Sequence, residues 1–144
     1  MNVIVLLGYN CQDTLEDVVN AIPQDVVAEI IYIGDFSKDN SISVAKSLKI
    51  NQIILHDHNI GYGGNQKSLY TKALGIGADI IIMLHLDDQY DPKLIPEIIA
   101  QFSKGADVVL ASRMMHKKEA LYIGMPSYKY YANRFLTYNT KLLI

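Results

Sequence analysis

The run Ala78-Asp79-Ile80-Ile81-Ile82-Met83-Leu84, followed at once by His85-Leu86-Asp87-Asp88-Gln89-Tyr90-Asp91-Pro92, constrains this chain more than any other stretch. Its apolar part falls well short of the ~20 residues that span a bilayer. A continuous apolar run of this length predicts a strand buried on both faces, the mark of a parallel sheet. Open α/β sheets take their ligands just beyond the carboxyl ends of their strands. His85 and Asp87 stand at that position and are candidates for holding a polar substrate or a metal ion. Asp91 has a simpler explanation, as the N-cap of a helix with Pro92 at its first position.

The remainder repeats the same alternation. Val3 to Leu7 predicts strand one, ending at Gly8-Tyr9-Asn10. Asp13 with Glu16 makes a capping-box pattern for a helix to about Asn20. Ile30 to Ile33 predicts strand two, followed by the polar loop Gly34-Asp35-Phe36-Ser37-Lys38-Asp39-Asn40. A helix over Ser41 to Leu48 leads to a third strand, Ile53 to Leu55. His56-Asp57-His58-Asn59-Ile60-Gly61-Tyr62-Gly63-Gly64-Asn65 follows, where three glycines in four positions suit a sharp turn or a close backbone approach. Asn65 caps a helix predicted over Gln66 to Ile76. Beyond the helix at Pro92 to Ser103, Val108 to Ala111 predicts a further strand, ending in Ser112-Arg113. Met114 to Met125 reads as a loop. Ser127 to Ile144 is helical and rich in Tyr. This order predicts a doubly wound α/β layer, a mostly parallel sheet with helices on both faces.

Length and composition narrow the classes. The 144 residues suit a single domain. Half are hydrophobic and 19% are charged, a globular composition. A net charge of −2 leaves no electrostatic footprint for nucleic acid. The lone Cys11 fits a reducing, cytoplasmic setting. Met1 to Leu7 lacks a basic region and a cleavage site, so it reads as a strand and not a signal peptide. Alternate residues on an extended segment share a side, so His56 and His58 with Asp57 would suit a metal cluster; a solvated loop is the commoner explanation. The Tyr-rich tail reads as an amphipathic core helix, although its Tyr, Lys and Arg mixture also suits peripheral contact with a membrane. Oligomeric state is open, a homo-oligomer included.

The order of these segments resembles family 2 glycosyltransferases of the GT-A (Rossmann-like) fold, and most closely the branch with dolichyl-phosphate mannosyltransferase and related polyprenyl-phosphate glycosyltransferases. The segments carrying the resemblance are Gly8-Tyr9-Asn10, Asp35 to Asn40, Asn59 to Lys67, His85 to Pro92, Ala106 to Arg113, Gly124-Met125-Pro126 and Asn133 to Thr137. The resemblance implies an enzyme that moves a sugar from a nucleoside-diphosphate sugar to an acceptor with inversion. The acceptor it suggests is a polyprenyl phosphate at the inner face of the membrane, in cell-envelope glycan synthesis. It implies that Tyr9 and Asn10 bind substrate, that Asp35 meets the base and ribose, and that Lys67 and Arg113 face phosphate oxygens. The family's Asp-any-Asp motif falls on His85-Leu86-Asp87. Asp87 would bind Mg2+ or Mn2+, cations suited to oxygen ligands, and His85 would bond the ribose or the metal. No general base is implied, because a phosphate acceptor is already anionic.

Departures are specific. Gly34-Asp35-Phe36 replaces an acidic pair followed by Gly, His85 replaces the motif's first Asp, and Asp88 replaces a Gly. Related catalytic domains continue beyond the length of this chain, so residues 1–144 are expected to be their nucleotide-sugar-binding part, with the acceptor side missing or shortened. Two other functions compete. One is a non-catalytic nucleotide-sugar-binding or oligomerisation module. The other is a sugar-nucleotide nucleotidyltransferase, disfavoured because Gly8-Tyr9-Asn10-Cys11-Gln12 has no basic residue to grip a triphosphate. A dinucleotide oxidoreductase is disfavoured too, since no Gly-x-Gly-x-x-Gly follows strand one.

Overall fold

The computed structural model describes residues 1–87, 90–111 and 126–142, the final helix by backbone alone beyond residue 135. Two compact units divide at Asp107 and Val108, and the α/β layer lies wholly in the first. Its elements are β1 (Asn2–Gly8), α1 (Leu15–Ala21), β2 (Glu29–Gly34), α2 (Ser41–Ser47), β3 (Gln52–Leu55), α3 (Gly61–Gly75), β4 (Ile80–His85) and α4 (Ile95–Phe102), with a 3-10 turn at Pro92–Leu94. The second unit contains α5 (Ser127–Leu142).

The four strands are parallel in the order β3-β2-β1-β4. Side-chain alternation sorts their residues onto two faces. Ile4, Leu6, Ile30, Tyr32, Ile82 and Leu84 pack against Leu15 and Val18 of α1, Ala45 of α2 and Ile95 of α4. Val3, Val5, Ile31 and Ile33 pack against Leu69 and Ala73 of α3. Both faces are covered, which is why the strands read as unbroken apolar runs and not as alternating ones.

Gly8 is fixed by close approach. Tyr32 is fully buried, and a Cβ on Gly8 would stand 2.2 Å from its ring. Asp91 caps as expected, its carboxylate accepting from the Lys93 N–H at 3.0 Å.

Three local expectations need correction. The Asp13–Glu16 capping box does not form: Thr14 occupies the N-cap of α1, and its hydroxyl donates to the Leu86 carbonyl at 2.6 Å, tying the helix to the end of β4. Helix α3 starts at Gly61, five residues before Gln66, and Asn65 lies buried inside it instead of capping it. Its start is held by a side chain from another strand, described below. Val108 to Ala111 is not a strand; Val108 and Leu110 are exposed, and no ladder among the described residues includes them. A run of β-formers becomes a strand only where a neighbour completes its hydrogen bonds. The expected loop at Met114 to Met125 lies outside the described residues.

Candidate functional site

Parallel pairing brings the loops after β1, β2, β3 and β4 to one rim. The first two are laced together. The Asn10 N–H donates to Ser37 Oγ at 3.1 Å, while Asn10 Oδ1 accepts from the Lys38 N–H at 2.9 Å. The Gln12 N–H donates to Asp39 Oδ2 at 3.0 Å, and Gln12 Oε1 accepts from the Asn40 N–H at 3.0 Å. Ser41 sits buried in the seam, accepting from the Cys11 N–H at 2.8 Å and donating to Asp39 Oδ1. Beneath it the Tyr32 hydroxyl lies 3.7 Å from Cys11 Sγ. Burial pushes the Cys11 thiol and the Tyr32 phenol up from their ordinary values. Burial also pushes the Asp39 carboxyl up, but the Ser41 hydroxyl and the N–H groups of Gln12 and Ser41 outweigh it, and the net direction is down.

Asp35 carries a carboxylate with three donors around it. It is buried, and Oδ1 lies 2.9 Å from His56 Nδ1 while accepting from the Ile60 N–H at 3.0 Å. Oδ2 accepts from the Gly61 N–H at 3.0 Å, and the Asp35 carbonyl accepts from Asn59 at 3.2 Å. A carboxylate just past the end of β2 thus supplies the anion that a helix start favours. Gly61 has φ +76°, a conformation that favours glycine, and it turns the chain into α3. The His56-Asp57-His58 cluster is thereby divided. His56 faces inward between Asp35 and Ser68, whose Oγ lies 3.2 Å from Nε2, while exposed His58 pairs with exposed Asp57.

The β4 end completes the rim. His85 is its last residue, Leu86 turns into the core, and Asp87 is exposed. The Tyr62 ring, from the first turn of α3, stacks on His85 at 5.6 Å and 16°. Its hydroxyl lies 3.4 Å from His85 Nε2, and Tyr90 flanks the imidazole at 5.6 Å.

Of the predicted residues, Tyr9 and Asn10 stand on the β1 loop, exposed. Asp35 is linked through Gly61 to the residue that touches His85. Lys67 is exposed but lines a hollow with Ser68, Thr71, Lys72, Gly75 and Ile76, along α3 toward its far end. Arg113 and Asp88 lie outside the described residues. Tyr62 was not singled out by sequence; the signal available was an aromatic among glycines ahead of a helix. Among the described residues, no group of three or more His, Cys, Asp or Glu is placed to hold a metal. Asp87 alone fits a cation of the Mg2+ type, which takes one or two carboxylates and fills its shell with substrate phosphates and water.

The family model described as Glycosyl transferase family 2 matches residues 3–143. The chain is 29% identical over 157 residues to the UDP-N-acetylglucosamine--dolichyl-phosphate N-acetylglucosaminyltransferase of Methanococcus voltae, covering 97% of this chain and 62% of that protein. It is 29% identical over 86 residues to the bactoprenol glucosyl transferase of Shigella phage SfV, covering 59% of this chain and 28% of that one. Among solved structures, S. aureus TarS 1-349 in complex with UDP superposes with a TM-score of 0.62 at 13% identity, over 81% of this chain and 39% of that one. A mycobacterial protein superposes at 0.61 and 19% identity, over 75% and 38%. Identities this low speak for fold alone. The chain spans less than two thirds of the length of these relatives. No helix among the described residues is long and apolar enough to cross a membrane.

Proposed function

The chain belongs to glycosyltransferase family 2 and has its GT-A fold, and from that premise we propose that its rim binds a nucleoside-diphosphate sugar for transfer to a polyprenyl phosphate. The observation that carries this reading is the meeting of the β1, β2 and β3 loops with His85 and Asp87 at one sheet edge, where α/β folds take ligands. Uridine diphosphate is the favoured nucleotide, because the Methanococcus voltae relative is named for a UDP-sugar. Both curated relatives are named for polyprenyl acceptors, which supports a lipid-phosphate acceptor.

In this reading Tyr9 and Asn10 border the nucleoside. Asp35 meets the base or ribose through the acceptor capacity left on Oδ2, which among the described residues takes only the Gly61 N–H, or by exchanging one of its present donors. His85 bonds the ribose. Asp87 holds Mg2+ or Mn2+, which when bound neutralises charge on the diphosphate. The acceptor oxygen bonds to the anomeric carbon as the bond from that carbon to the diphosphate oxygen breaks, giving inversion. The phosphate role implied for Arg113 rests on the resemblance, and Lys67 is not assigned one.

Calorimetric titration with UDP tests the reading. Binding is expected with Mn2+ and is expected to disappear with chelator or in Asp87→Ala. Equal affinity with Mn2+ and with chelator would remove the metal from Asp87.

A further inference from the structure

We propose that Tyr62 is a positioning residue for His85, held in place by Asp35 through Gly61. The proposal rests on the donor-binding reading above for its consequence, but not for its geometry. The Asp35 carboxylate accepts from the Ile60 and Gly61 N–H groups and so fixes the first residue of α3. Gly61, at φ +76°, sets the direction in which Tyr62 leaves. Tyr62 then lies with its ring nearly parallel to the imidazole and its hydroxyl 3.4 Å from Nε2. β1 lies between β2 and β4 in the sheet, so this short path joins two strands that do not pair. Tyr90 also lies beside the imidazole, its ring centroid 5.6 Å away. A histidine offers a ligand one defined donor or acceptor only when its ring orientation and tautomer are set by a neighbour. Tyr62 is more than half exposed and lies outside both core clusters, so core packing does not explain its place.

Histidine-labelled NMR at one fixed pH, without ligand, reads the contact directly. The His85 signals are identified by their loss in His85→Gln. Tyr62→Phe keeps the stack and loses the hydroxyl, and is expected to move the Nε2 resonance. Tyr62→Ala is expected to move the ring-proton resonances as well, by removing the ring current. His85 signals unchanged in both variants would overturn the proposal. Should Tyr62→Ala fail to fold, the Phe variant decides alone.

Titration with UDP and Mn2+ reads the consequence. Tyr62→Phe is expected to weaken binding about two- to tenfold, the worth of one ordinary hydrogen bond. Combined with His85→Gln, it is expected to add nothing further. Additive losses would show that Tyr62 acts independently of His85 and would overturn the positioning role. If the unaltered protein binds no UDP, the donor-binding reading falls, and the NMR comparison still decides whether Tyr62 sets His85.

Discussion

Phe36 holds φ +61° at a position where the related pattern has Gly. A left-handed conformation costs an L residue about 1–2 kcal/mol. The ring is about half exposed, so its burial offsets about 1 kcal/mol of that cost. Gly at this site would relieve the strain but give up that burial and a further ~0.4–1 kcal/mol through a freer unfolded chain. Phe36→Gly is therefore expected to change stability by no more than about 1 kcal/mol in urea unfolding, although it removes a large aromatic side chain. A loss well beyond that would show that the left-handed backbone carries no strain for Gly to relieve. Gly8 presents the opposite case. A Cβ there would collide with the buried Tyr32 ring, so Gly8→Ala is expected to cost about 1–3 kcal/mol. The same change in a Tyr32→Val background is expected to cost clearly less, because the colliding atoms are gone. An equal cost in both backgrounds would rule out the ring as the cause.

Helix α3 shows where a sequence stops being readable. Its body over residues 66–75 was legible, but its first five residues were read as a turn because Gly61, Gly63 and Gly64 are poor helix formers. The stabilising group is Asp35, some 26 residues earlier, and no local pattern announces a cap supplied from another strand. The strands were legible for the opposite reason: burial on both faces writes itself as a continuous apolar run. Val108 to Ala111 has the composition of a strand without a recorded ladder, so composition alone overstated it. The position of His85 and Asp87 at the end of β4 was legible from such a run, while the contact of Tyr62 became visible only once α3 was seen to start early. Asp35→Ala is expected to cost about 2–4 kcal/mol, since it strands two backbone donors and His56. Hydrogen exchange should then accelerate at residues 60–64 more than at residues 69–73. Unchanged protection at residues 60–64 would mean that the carboxylate does not hold the helix start.

For the whole molecule, the seam joining the β1 and β2 loops gathers groups that bear on stability at both ends of the pH range. Asp39, Ser41, Cys11 and Tyr32 occupy that seam together. The Asp39 carboxyl is held down, so its contribution is present above the unfolded value near ~3.9 and is lost as pH falls through the folded value. Cys11 and Tyr32 are both pushed up by burial. Their contributions are complete below the unfolded values, about 8.5 and about 10, and are lost as pH rises toward the folded ones. Both ends of the stability profile therefore act on the same contact, and the alkaline end carries two groups. Urea midpoints measured from about pH 3 to about pH 11 should fall at the alkaline end once the unfolded thiol and then the unfolded phenol begin to ionise, and at the acid end as Asp39 takes up its proton. Tyr32→Phe removes the phenol while keeping the ring over Gly8, so it should flatten the upper part of that fall and leave the acid limb as it was. Asp39→Asn should do the reverse. If Tyr32→Phe ran parallel to the unaltered protein at every alkaline pH, the phenol would not be the group that burial protects, and it would not bear on stability at the alkaline end.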